Sequence, residues 1–172
     1  MTLPIVLYGS PILRQISYDV HPEDLPDQVS INMFETLKRE KGIGLAGPQV
    51  SLLKKIFIID TTPLAKEDPS TQKIEQVYLN PQILEINDEQ VICNEGCLSI
   101  PEIYKDLYRP AKIRVRYQDL SFNTIEEELD GMPARIFQHE YDHLEGILFI
   151  DKLSALQRKL LSGKLKKIRK RR

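Results

Sequence analysis

The stretch Gln138-His139-Glu140-Tyr141-Asp142-His143 holds two of the three histidines in a chain of 172 residues. They stand four apart, with a glutamate directly after the first. On a helix this spacing places both imidazoles on one face, one turn apart. Two neutral imidazoles so placed can hold one divalent metal, and the carboxylate between them can act as a base toward water. Paired helix histidines also occur as solvated surface groups, so the flanks must decide. Ile136 lies three residues before His139, and Phe137, Tyr141 and Leu144 form an adjacent apolar stripe. Asp130-Gly131-Met132-Pro133 predicts the helix start, with Asp130 as cap and Pro133 in the first turn. The helix is therefore half-buried, and unpaired imidazoles there would be costly.

An open catalytic site of the zinc type takes three protein ligands. Downstream the chain offers none in the usual place. Gly146 follows the second histidine at the spacing of one large metalloprotease group, but Phe149 stands where that group has its third histidine. Beyond Asp151 there is neither an acidic residue nor a histidine. The third ligand is expected upstream, at Cys97 in Asn94-Glu95-Gly96-Cys97-Leu98-Ser99. A thiolate is a strong ligand, and the glycine before it allows close backbone approach. Gln90–Cys93 reads as a short strand leading into this segment, and Cys93 within it is expected to be a buried free thiol.

Gly42-Ile43-Gly44-Leu45-Ala46-Gly47-Pro48-Gln49 lacks the lysine and hydroxyl of a phosphate loop. It reads as a helix stop and tight turn, with a bare backbone edge to which an extended peptide can add. This run, Glu95-Gly96-Cys97-Leu98-Ser99 and Gln138-His139-Glu140-Tyr141-Asp142-His143 together resemble the three motifs of the peptide deformylases, in that family's order. The resemblance extends from Leu7 to about Leu153. It departs at Gly47, where the family usually has alanine.

The resemblance implies a hydrolase that removes the formyl group from the N-terminal formyl-methionine of new polypeptides and releases formate. Cys97, His139 and His143 would hold one divalent metal, Fe(II) in the cell, with Zn(II), Ni(II) or Co(II) able to replace it in vitro. Glu140 would be the acid–base group, and Gln49 and the Leu98 N–H would hold the oxyanion. Ile43, Gly44 and Gly96 would lie along the peptide, Ile136 would line the methionine slot, and Arg109 would pair with Glu95. Tyr104 stands where some members carry a basic residue. Two other readings remain. One is a metalloprotease built on the same helix. The other is an RNA-binding protein with a closed structural metal, for which Asp142 or Glu95 would supply a fourth ligand.

The remainder of the chain predicts an α+β fold with mostly antiparallel sheet around the motif helix, and with an N-terminal and a basic C-terminal helix. A helix is expected from Leu25 to Glu40, ended by Gly42. Strands are expected at Lys55–Asp60, Val77–Asn80, Gln82–Ile86 and Gln90–Cys93, and a hairpin at Ile113–Tyr117 and Thr124–Leu129. Thr61–Lys73 reads as an exposed loop, and Ser99 to Lys112 is assigned no element.

Nine of the 24 basic residues follow Leu153 and none of the 25 acidic ones does, so residues 1–152 carry a net charge of about −10. The chain divides accordingly into a catalytic domain, 1–152, and a basic helix or tail, 153–172. Leu153, Leu156, Leu160, Leu161, Leu165 and Ile168 have helical spacing, with basic residues on the other face. Such an arm suits a polyanion, and some bacterial deformylases are similar in docking to the ribosome through a C-terminal helix. No segment is apolar enough to suggest a membrane span. Two cysteines fit a reducing compartment, and no transit segment is visible, which predicts a bacterial cytoplasmic protein.

Overall fold

Ile56–Asp60 (β2) opens with four apolar β-branched and aromatic residues, and these lie inside a sheet, buried on both faces. In this computed structural model, which describes residues 1–24 and 26–171, the sheet has five strands in the order β1-β2-β3-β6-β7. They are Gly44–Ala46 (β1), β2, Glu75–Ile86 (β3), Lys112–Gln118 (β6) and Thr124–Asp130 (β7), and every pairing is antiparallel. A separate hairpin consists of Gln90–Cys97 (β4) and Ile100–Pro110 (β5). The helices are Pro26–Arg39 (α1), Thr62–Glu67 (α2), Gly131–Leu144 (α3) and Ala155–Arg169 (α4).

The motif helix α3 is central. Its Phe137 is fully buried and meets Phe57 and Tyr78 edge-on, with ring centroids 4.9 and 5.2 Å apart. Edge-to-face pairs of this kind add about 0.5–1.5 kcal/mol beyond area burial. Ala134, Ile136 and Leu144 join the same core with Val115 and Leu129. Asp130 occupies the cap position as expected, but its side chain makes no capping hydrogen bond.

Several sequence expectations are corrected. Leu25, the expected first residue of α1, lies outside the described residues. That helix ends at Arg39, and the left-handed residue that follows it is Lys41 (φ 56°), not Gly42, whose N–H reaches back to Leu37 O at 3.0 Å. The two short strands before and after Pro81 are one strand, because Asn80 (φ 48°) and Pro81 sit in a bulge that the ladder spans. Part of the expected loop after Thr61 is α2. Ser99 to Lys112, to which the sequence assigns no element, is mostly β5, and its Pro101 and Pro110 are tolerated near the two ends of a strand in a two-stranded hairpin. Cys93 is half-exposed on β4 rather than buried, because the face it occupies looks into a cleft.

Helix α4 buries Leu161, Leu165 and Ile168 against a second core with Leu13, Ile100, Leu107 and Phe149. Leu156 and Leu160 point the other way and are 68% and 76% exposed, so the apolar stripe is narrower than the sequence suggested.

Candidate active site

His139 and His143 rise from α3 one turn apart, as the spacing dictates, with ring centroids separated by 5.1 Å. Cys97 reaches them from the end of β4, where the hairpin closes through the pair Cys97 and Ile100. Its Sγ lies 3.3 Å from His143 Nε2. Sγ and one ring nitrogen of each histidine all fall within 4.8 Å of one another.

The surroundings of these three residues suit a cation. His139 Nδ1 faces Glu95 Oε2 at 3.0 Å, so the proton belongs on Nδ1 and the Nε2 lone pair is left for a ligand. Burial disfavours charge on both imidazoles. At His139 it is outweighed by Cys97, Glu95 and Glu140, which raise its pKa well above the usual value. His143, buried beside a positive His139, is pushed well below it. The pair thus retains a positive charge in a buried, donor-rich site, which a divalent ion between a thiolate and two neutral imidazoles would supply instead. His143 Nδ1 has no hydrogen-bond partner.

Glu95 is braced on its other side. Arg109 Nε and one of its terminal nitrogens hold both carboxylate oxygens, at 2.6 and 2.8 Å, and the remaining nitrogen reaches Asp142 at 2.8 Å. Burial would raise the Glu95 carboxyl, but Arg109 and His139 overcome it and hold the pKa at about 2. The Arg109–Glu95 pairing read from the sequence is therefore present. Its second arm, to Asp142, was not foreseen. Because Glu95 and Asp142 are both engaged with Arg109, neither is free as a fourth ligand, and the closed-site reading loses its donors.

Glu140 lies beside the histidines, 3% exposed, and its Oε2 has no partner. Burial pushes its pKa up to about 7. A carboxyl titrating there can both accept and release a proton near neutrality. Gly44 leaves it room: a Cβ on that residue would stand 2.4 Å from Glu140 Oε1 and 2.8 Å from Ile136 Cγ2. Gly44→Ala is therefore expected to displace the carboxylate and lower kcat/KM about 10²-fold. A kinetic assay at unchanged metal content checks this.

Gln49 is oriented by its own turn. Its Oε1 accepts from Ala46 N–H at 2.7 Å, which directs Nε2 toward Cys97 Sγ at 3.4 Å and Ser99 Oγ at 3.3 Å. Gly47 needs its missing side chain, since a Cβ would meet Leu52 O at 2.6 Å and Lys54 O at 2.9 Å.

A cleft of about 620 Å³ opens over this centre. Ile43, Gly44, Gln49, Gly96, Cys97, Leu98, Ile136, His139 and Glu140 all line it, and His143 lies beneath. The ten residues proposed from sequence thus converge on one place. The wall also contains Met132 and Arg135 from α3, Cys93 from β4 and Tyr104 from β5. Met132 and Arg135 were legible in principle, because they precede His139 at helical spacing on the same face. β1 forms one edge of the sheet, so its unpaired side is open to an extended chain.

Residues 2–159 match the family model described as Polypeptide deformylase. A curated peptide deformylase of Cytophaga hutchinsonii is 44% identical, covering 99% of this chain and 92% of its own. Among solved structures, the class I type b peptide deformylase of Acinetobacter baumannii with Met-Ala-Ser bound superposes with a TM-score of 0.84. It is 33% identical, covering 89% of this chain and 99% of its own. The peptide deformylase of Plasmodium falciparum gives 0.86 at 36% identity, covering 95% and 94%.

Proposed function

Since the chain belongs to the peptide deformylase family, whose members are metal-dependent hydrolases of N-terminal formyl-methionine, we propose that Cys97, His139 and His143 are its metal ligands and Glu140 its acid–base group. The observation that carries this is a three-donor cluster beside a buried carboxylate with one unpartnered oxygen. A divalent ion held there supplies a Lewis acid and lowers the pKa of water toward neutrality. Glu140 takes the proton from the attacking water and delivers it to the leaving amine as the formyl C–N bond breaks. Gln49 Nε2 and the Leu98 N–H donate to the oxyanion that develops. The peptide runs along Ile43, Gly44 and Gly96, and the methionine side chain enters the apolar end formed by Ile43, Ile136 and Met132. The structure of the Acinetobacter baumannii relative has Met-Ala-Ser bound, which supports a short peptide as the ligand class of this fold.

We further assign Fe(II) as the metal in the cell, with Zn(II), Ni(II) or Co(II) as substitutes, because a thiolate and two imidazoles suit all four. Metal analysis after anaerobic purification tests the ligand set. About one ion per chain is expected, with most of it lost in Cys97→Ala and in His143→Ala. Full retention in both variants would dismiss the assignment.

Residues 1–152 form the catalytic unit in this reading, and 153–172 a basic arm that meets ribosomal RNA. Arg158, Lys159, Lys164 and Lys167 are exposed on α4 and Lys170 directly follows it, which supports a phosphate-binding surface. Truncation is a poor test, because it would remove Leu161, Leu165 and Ile168 from the second core. Lys164→Glu with Lys167→Glu is the better one: ribosome co-sedimentation at low salt should fall with formate release unchanged. Undiminished co-sedimentation would refute the docking role. We propose a bacterial cytoplasmic location, which the reducing environment needed by a thiolate ligand at Cys97 supports.

A further inference from the structure

Helix α3 builds one wall of the cleft from Met132, Arg135, Ile136, His139 and Glu140, three turns of a single face. The reacting centre is at His139 and Glu140. Arg135 lies four residues before His139, about 6 Å along the axis. It is 6% exposed, and one of its terminal nitrogens donates to Val91 O at 3.0 Å. The other, Nη1, is buried and has no partner. No salt bridge to Arg135 is found among the described residues. Cys93 shares the cleft wall with it, and a thiol is only a weak acceptor. A guanidinium with an unsatisfied donor beside a substrate slot is unfavourable unless something entering the slot accepts from it.

The methionine pose proposed above places one atom at that level. The side-chain sulfur of methionine is four bonds from the amide nitrogen, about 5 Å when extended. That is close to one helical turn, so the sulfur comes level with Arg135. A thioether is a weak acceptor and does little for a buried guanidinium. A sulfoxide oxygen on the same sulfur is a strong one.

We propose that Arg135 is a specificity-determining residue that admits formyl-methionine sulfoxide, so that new chains whose first methionine has been oxidised are also substrates of this enzyme. An all-apolar slot would reject the sulfoxide, because its oxygen would be desolvated without a partner. Here the orphaned N–H of Arg135 meets it with a charge-assisted hydrogen bond. The reaction is unchanged: water cleaves the formyl C–N bond, formate leaves, and the sulfoxide is neither reduced nor oxidised.

The inference rests on the deformylase reading, and the test separates the two. Formate release is measured for formyl-Met-Ala-Ser and formyl-Met(sulfoxide)-Ala-Ser with metal-loaded wild type, Arg135→Met and Arg135→Lys. The wild-type kcat/KM for the sulfoxide should be within about 10-fold of that for methionine. Arg135→Met should shift the ratio against the sulfoxide by a further 10-fold or more, and Arg135→Lys, which keeps a donor, by less. Formate from the methionine peptide alone overturns this inference and leaves the deformylase reading standing. A parallel fall for both peptides in Arg135→Met, with the ratio unmoved, overturns it in favour of a bracing role through Val91. No formate from either peptide with metal-loaded wild type overturns the deformylase reading as well.

Discussion

Glu140→Gln should lower kcat for formate release by about 10²–10⁴-fold while the protein keeps its metal. The glutamine is nearly isosteric, so it fits between Gly44 and Ile136, where a larger change would not. It retains a polar oxygen but cannot take a proton from water or return one to the amine. Oε2 has no partner in the folded chain, so no structural hydrogen bond is lost. Folding stability should hold or rise, because a buried ionisable group without a partner is unfavourable. Formate assays paired with metal analysis and thermal unfolding read the three quantities. A fall of less than 10-fold would remove Glu140 from the mechanism. A large fall with loss of the ion would recast it as a ligand.

Arg109→Leu should have the largest effect on stability. The guanidinium is 2% exposed and joins Glu95 on β4 to Asp142 on α3. Removing it leaves a buried carboxylate with only His139 as partner. Breaking a buried pair from one side costs about 3–5 kcal/mol. For a domain of this size that corresponds to a fall in Tm of roughly 6–20 °C. Glu95 also sets the tautomer and orientation of His139, so metal affinity should drop about 10–100-fold. Arg109→Lys should rescue only part of either effect, because an ammonium cannot hold two carboxylates in a fork. Thermal unfolding and a metal competition assay check both parts. An unchanged Tm would show that the network does not hold β4 to α3.

The site was legible in the sequence because its chemistry is local. The spacing of His139 and His143 fixes their common face, and the empty downstream positions after Gly146 direct the search upstream to Cys97. The fold was legible where the periodicity was clean, as in the β6–β7 hairpin and in α3. It failed where one residue could be read in two ways. Pro81 looked like a strand end and is a bulge. The sequence assigns no strand around Pro101 and Pro110, and both lie in β5. Cys93 sits in an apolar run, which suggests burial, but its face of β4 looks into the cleft. Asp142 as the second partner of Arg109 depends on the approach of β5 to α3, which no local pattern encodes. Spacing puts Arg135 on the helix face of His139, but its burial and its hydrogen bond to Val91 O depend on the approach of β4, which no local pattern encodes.

Anaerobic formate release from formyl-Met-Ala-Ser by the iron-loaded protein tests the central claim most directly, with the unformylated peptide as control. The account predicts one formate per free N-terminal methionine produced, with no cleavage of the control. Failure to release formate from protein that demonstrably holds its ion, or cleavage of internal peptide bonds in the control, would contradict it.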